Sequence, residues 1–253
     1  MKAVGVFMKK SLLFAIIASL IFLIVCSYAI TTQEQTVIIS GHYDWKPVMW
    51  QEGSEIVGIG PDVVKNVFND MGIKSNSPYV GSWEQVQQKA RMGDIDIVVA
   101  LYKTEEREEY LYFSDPYVVD PISVFVKEDN EFNPQAKEDL LGKKGIVTVG
   151  DSYGQGIDDM ITSKMLDVVE VNTPQEAFSL LNEEGADYFL YSTYAGERSS
   201  FEGTRDAGII AEQYFYIGIS KNSPIAEKLP EINRILEEYK QNGIIEEISS
   251  RYR

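Results

Sequence analysis

The stretch TEEREEYLYFSDPY, residues 104–117, decides how this chain is read. Four glutamates, Glu105, Glu106, Glu108 and Glu109, surround a single arginine, Arg107. Thr104 is suited to cap a helix, which puts Arg107 in the first turn behind it. Two readings compete for the arginine. It pairs with its neighbouring glutamates at the surface, or it turns away from them and holds another group. The aromatic run that follows, closed by Ser114, Asp115, Pro116 and Tyr117, leads the chain away from that turn.

On either side, strands and helices alternate. TVIIS (36–40) reads as a buried strand. GPDVVKNVFNDMG (60–72) reads as a helix with Pro61 at its first position, Asp62 in its first turn and Gly72 as its stop. Val63, Val64, Val67, Phe68 and Met71 form its apolar face. In SWEQVQQKARMG (82–93), Ser82 and Gln85 make a capping box and Gly93 ends the helix. DIVVAL (96–101) is the next strand. A second series follows: the strand GIVTVG (145–150), the helix TPQEAFSLLNEEG (173–185) from cap Thr173 to Gly185, the strands DYFLY (187–191) and QYFYIGIS (213–220), and a largely helical end, 223–243. This alternation predicts an α/β architecture with largely parallel sheets. Ligands of open α/β sheets bind beyond the C-terminal strand ends, which makes ALYKT (100–104) and GDSYG (150–154) the candidate mouths.

The 253 residues are 25% charged and 44% hydrophobic, a globular composition long enough for two modest domains. The net charge is −16, and no basic run marks a nucleic-acid surface, so no nucleic-acid partner is expected. One cysteine, Cys26, and one histidine, His42, leave no set of ligands for a zinc site, and neither a metal nor a cofactor is expected. Residues 8–29, MKKSLLFAIIASLIFLIVCSYA, combine a basic start with an apolar run of about fifteen residues, shorter than the roughly 20 of a spanning helix and matching a signal-peptide core. Ser27 and Ala29 sit at the −3 and −1 positions, so residues 1–29 are read as a signal peptide cleaved after Ala29. A lipoprotein acylated at Cys26 and a retained anchor are the alternatives. Cleavage removes Lys2, Lys9 and Lys10 and no acid, leaving the exported chain three charges more negative.

Taken in order, GHYDWKPVMW, EIVGIGPDVVKNVFNDMGI, SWEQVQQKARMGDIDIVVA, TEERE and FSDPY resemble the bacterial extracellular solute-binding proteins of the polar amino-acid class, family 3. These are the periplasmic receptors of ABC importers. The resemblance covers about 36–253. It implies a type II periplasmic-binding-protein fold: two α/β lobes, two crossover strands acting as a hinge, and a ligand in the interlobe cleft. Lobe 1 would comprise 36–119 plus 215–253 and lobe 2 would comprise 120–214, with crossovers near VVDPI (118–122) and AEQYF (211–215).

The same resemblance assigns roles. Arg107 takes the place of the arginine that grips the ligand carboxylate. Ala100 and Tyr102 match positions that offer backbone groups, although the link to Thr104 is one residue shorter here than is common. Ser152 takes the hydroxyl place of the lobe-two turn, with Asp151 where a threonine is common. Trp45 matches an aromatic that stacks on ligand and Trp83 a position lining the pocket; Trp50 has no matched role. His42 is read as a loop residue near the cleft rim. Ser192 occupies the place of an acid that binds the α-ammonium. Either Asp151 replaces that acid from the opposite turn, or the ligand lacks an α-ammonium.

The implied function is a non-enzymatic, monomeric, extracytoplasmic receptor that captures a small carboxylate-bearing solute, an amino acid foremost, and delivers it to an ABC permease. Two alternatives stand beside it. One is an enzyme on the same fold, similar to cyclohexadienyl dehydratases, which needs a cleft acid such as Asp151 or Asp44. The other is a sensory receptor acting through a membrane partner.

Overall fold

The computed structural model describes residues 36–183, 185–196 and 202–252. The expected signal peptide, with Cys26, lies outside the described residues.

The chain opens with β1 (Val37–Ser40) and a three-stranded meander of β2 (Asp44–Trp45), β3 (Met49–Glu52) and β4 (Glu55–Val57). The helix Ile59–Asp70 leads to β5 (Ser75–Asn76), and the helix Trp83–Met92 to β6 (Ile97–Leu101). A four-residue helix, Glu105–Glu108, precedes β7 (Leu111–Phe113) and β8 (Val118–Val119). The chain then passes through β9 (Ile122–Lys127), β10 (Lys144–Thr148), β11 (Asp167–Val171), β12 (Tyr188–Ser192) and β13 (Thr204–Ala211). Helices Gln155–Thr162, Pro174–Asn182 and Thr193–Gly196 lie among these strands. β14 (Tyr214–Ser220) precedes the closing helices Leu229–Gln241 and Ile244–Ser250.

One sheet runs β5-β1-β6-β14-β7, with β8 pairing β14; the other runs β11-β10-β12-β9-β13. The first draws its strands from the two ends of the described chain and the second from its middle. The chain goes from one to the other at Asp120–Pro121, between β8 and β9, and returns between β13 and β14. Five consecutive buried residues make β6, and five make β12. Such unbroken buried runs belong in sheet interiors covered on both faces. The helix Ile59–Asp70 buries Val63, Val64, Val67 and Phe68 in the main core. Trp83, Val86 and Ala90 form a smaller core with Val98 and Leu101 of β6.

The expectation of largely parallel sheets needs correction. β1 pairs in parallel with β5 and β6, and β10 with β11 and β12. β14 and β9, the strands that carry the chain across, are antiparallel to every neighbour. A strand arriving from the other sheet is not the product of a βα crossover, so nothing forces it to run with the others. Two helix ends also differ from the sequence reading. The first long helix begins at Ile59, so Pro61 is its third residue. The helix expected to run to Gly185 stops at Asn182, with Glu183 as C-cap. By contrast Ser82 and Gln85 make the capping box, with Gly93 left-handed at the end, and Thr173 accepts the Glu176 N–H as N-cap.

Candidate functional site

The Glu105–Glu108 turn sorts its charges by face. Thr104 Oγ1 accepts the Arg107 N–H at 3.2 Å and fixes the turn. All four glutamates are exposed while Arg107 is buried, with 5% of its surface accessible. Glu106 pairs with Arg91 and Glu108 with Lys103, both at the surface. Arg107 Nη1 donates to the Tyr102 carbonyl at 2.9 Å, and its guanidinium lies 5.5 Å from the Trp83 ring centroid. Among the described residues, no carboxylate oxygen lies within 4.0 Å of the guanidinium. Burial pulls its pKa downward, the direction expected of a cation taken out of water.

Arg107 lines a cavity whose atom-free space, mouth included, is about 450 Å³. Every other residue given a ligand-binding role from the sequence lines it too: Trp45, Trp83, Ala100, Tyr102, Asp151, Ser152 and Ser192. Asp44, named beside Asp151 as a candidate acid, does not: it starts β2, outside the lining. The two sheets contribute opposite walls. Ala100, Leu101 and Tyr102 come from the end of β6, and Tyr191 and Ser192 from the end of β12. Asp151, Ser152 and Tyr153 follow β10, on the turn entered through Gly150 at φ 76°. These are the C-terminal strand ends at which such sheets bind ligands. Ala100 itself has φ 47°, a left-handed conformation that is costly for a residue with a Cβ, at the point where β6 gives way to the wall.

Several groups reach across the cavity. Trp83 Nε1 donates to the Gly150 carbonyl at 2.9 Å, and Glu105 N donates to Gln155 Oε1 at 3.3 Å. His42 Nε2 stands 3.9 Å from Asp151 Oδ1. The cleft is therefore drawn together in this structure. His42 is no rim residue, as the sequence reading had it: it is buried, stacked on Tyr43, and lines the cavity. Its Nδ1 accepts the Asp44 N–H, which leaves the proton of the neutral ring on Nε2, toward Asp151. Burial, assisted by the Arg107 charge, lowers its pKa to about 4.

Asp151 titrates the other way. Desolvation raises its pKa to about 7 in spite of the opposing pull of Arg107, although 29% of its side chain still meets solvent. Ser152 gives its proton to Asp158 at 2.5 Å and accepts the Gly154 N–H. Ser192 gives its proton to Asp120 at 2.8 Å and accepts the Ala195 N–H, so it caps the short helix Thr193–Gly196. Trp45 packs edge-on against Tyr102 and Phe215 while keeping one side toward the cavity. Trp50 lies elsewhere, edge-on to Tyr252.

Sequence reading did not single out Met49, Leu101, Ile122, Tyr153 or Tyr191, which complete the walls. Tyr153 and Tyr191 adjoin nominated residues, Ser152 and Ser192. Apart from the strand-end rule, which takes in Leu101 and Tyr153 within the candidate mouths, proximity in sequence was the available signal, because pocket walls and core present the same apolar composition. Among the described residues, no cluster of acids, histidines or cysteines could hold a metal, and no helix is long and apolar enough to cross a membrane.

Residues 37–253 match the sequence model of the bacterial extracellular solute-binding proteins, family 3. A curated relative, the probable amino-acid-binding protein YxeM of Bacillus subtilis (strain 168), is 20% identical over 217 residues, covering 81% of this chain and 79% of the relative. A mutant of ArgBP from T. maritima superimposes with a TM-score of 0.71 at 22% identity, over 86% of this chain and 94% of that one. A histidine kinase sensor domain similar to periplasmic binding proteins gives a TM-score of 0.74 at 19% identity, over 87% and 96%. AncCDT-1, an ancestral amino-acid-binding protein described as a precursor of cyclohexadienyl dehydratase, gives 0.70 at 21%, over 86% and 95%. These likenesses show the two-lobed type II periplasmic-binding fold.

Proposed function

Because the chain belongs to the bacterial extracellular solute-binding proteins, family 3, we propose that it is the extracytoplasmic receptor of an ABC importer, a monomer that captures a small carboxylate-bearing solute, foremost an amino acid. The observation that carries this reading is Arg107, a buried cation lining the cavity with no carboxylate of its own among the described residues. A desolvated guanidinium is expensive unless an anion compensates it. A ligand carboxylate supplies that anion in bidentate geometry.

The moving bodies are residues 36–119 with 215–253, and 120–214. Arg107, Trp45, Trp83, Ala100 and Tyr102 lie on the first, and Asp151, Ser152 and Ser192 on the second. A ligand touching both favours the closed form by its extra affinity for that form, and the membrane permease reads closure. Aromatic walls cover the ligand's apolar part, and the Asp151 turn faces Arg107 across it.

A thermal-shift screen of the common L-amino acids, small carboxylates and neutral sugars tests this. Amino acids or carboxylates raise the melting temperature, since ligand at a hundredfold its Kd adds about 2.7 kcal/mol. Stabilisation by sugars and not by carboxylates refutes it. One observation favours a second reading, a dehydratase: Asp151, with a pKa of about 7 in a largely apolar cavity, has the acidity a general acid requires. Turnover of prephenate or arogenate would replace the receptor with the enzyme.

A further inference from the structure

Behind Tyr102 and Ser192 of the cavity wall stands Asp120, fully buried at the first crossing between the sheets. Its two carboxylate oxygens are divided between the walls. Oδ2 accepts the Tyr102 hydroxyl at 2.6 Å, from beyond the end of β6. Oδ1 accepts the Ser192 hydroxyl at 2.8 Å and the Tyr194 N–H at 3.0 Å, from the end of β12 and the helix after it. Tyr102 and Ser192 both line the cavity.

The direction of these bonds has a chemical consequence. A hydroxyl has one proton and two lone pairs. Tyr102 and Ser192 have each committed their proton to Asp120, so toward anything else they are acceptors only. Ser192 spends one lone pair on the Ala195 N–H. The carboxylate behind both hydroxyls keeps their protons turned toward itself, so what each oxygen can offer elsewhere is a lone pair. At its other end Tyr102 receives Arg107 on its carbonyl, so one residue links the cation of the site to this acceptor pair.

We propose that Asp120 is a positioning and specificity-determining residue: by taking the protons of Tyr102 and Ser192 it fixes two hydroxyl oxygens as acceptors for a protonated amine on the ligand whose carboxylate Arg107 holds. This rests on the receptor reading above and adds to it the second charged group of the ligand. An asparagine at 120 would overturn the polarity. Its amide would donate to one hydroxyl and release that hydroxyl's proton toward the cavity, where it opposes an ammonium.

Three pairs of probes that differ only in the amine test this by calorimetric titration: alanine and propanoate, phenylalanine and 3-phenylpropanoate, 4-aminobutanoate and butanoate. Wild type binds the amine-bearing member of at least one pair more tightly. Asp120→Asn is expected to lower that preference at least tenfold while leaving the amine-free partner within about threefold. Tyr102→Phe and Ser192→Ala each lower it by less. Asp120→Asn with Ser192→Asp restores it, because the charge returns to within a hydrogen bond of where it was.

An equal loss for both members of a pair in Asp120→Asn would mean a merely structural role and overturn the inference, as would an unchanged preference. So would a preference erased by Asp151→Asn and untouched by Asp120→Asn, which assigns the amine to the opposite turn. If Asp120→Asn does not fold, the preferences of Tyr102→Phe and Ser192→Ala decide in the same way. Failure of wild type to bind any amino acid or carboxylate of the thermal-shift screen removes the receptor reading together with this inference, whereas binding with unaltered preferences removes the inference alone.

Discussion

Arg107 and the acids around it separate by burial, and burial sets how each behaves. The glutamates keep their water and serve the surface; the arginine has lost it. Asp151 has partly lost it as well, and that has a measurable cost. Its pKa of about 7 stands above the ordinary 3.8, so between those values the folded state binds more protons than the unfolded state. Stability therefore falls as pH rises through that window. Asp151→Asn removes the penalty. The variant is expected to melt higher than wild type at pH 8, by an amount worth on the order of 1–3 kcal/mol after allowing for its partial exposure, and to match wild type below about pH 4. A gain of the same size at both pH values would place its origin outside Asp151 titration. His42 works in the opposite sense. Its pKa of about 4 lies below the ordinary 6.5, so stability is lost as pH falls through that range. The sequence made Arg107 legible, because threonine, arginine and the aromatic run keep a recognisable order. It did not make His42 legible. A lone histidine between Gly41 and Tyr43 reads as a loop until the fold buries it under Tyr43 and Trp83.

The turn Glu105–Glu108 shows how little structure positions the site. Four residues do not make a stable helix alone. The Thr104 cap holds the turn against the end of β6 and so aims Arg107 inward. Thr104→Ala is expected to cost about 1 kcal/mol of stability and to weaken binding of a carboxylate ligand several-fold, while Thr104→Ser keeps both. Chemical denaturation and titration of the two variants check this; equal affinity in Thr104→Ala and wild type would show that packing alone aims the arginine. Elements of this scale were legible where side-chain chemistry is local, as in the Ser82–Gln85 box. They were less legible where ends depend on packing: the helix expected to reach Gly185 stops at Asn182. The strands β9, β11 and β13 and the helix Gln155–Thr162 escaped the sequence reading. Runs such as DVVEV, half buried at a sheet edge, carry a weak period.

Across the molecule, the cleft is held by bonds between its two walls, and the bond from Trp83 to the Gly150 carbonyl is the one most easily removed without disturbing the wall. Trp83→Phe keeps an aromatic ring beside Arg107 and loses the N–H. A hydrogen bond of this kind contributes about 0.5–1.5 kcal/mol to the closed form. Ligand dissociation, followed by stopped-flow fluorescence, is expected to quicken roughly two- to tenfold; an unchanged rate would mean that the bond persists in the open form. The two-lobed fold was legible as an ordered set of short motifs, none sufficient alone. The antiparallel course of β9 and β14 was not, since strand direction leaves no mark on composition. Receptor function of this kind requires a ligand carboxylate to compensate the buried charge of Arg107. Calorimetric titration of the tightest-binding amino acid or carboxylate into wild type and Arg107→Ala tests it most directly. Loss of a desolvated charge pair, about 2–5 kcal/mol, predicts an affinity at least some 30-fold weaker in the variant. An affinity within about twofold of wild type, in a variant that remains folded, would contradict it.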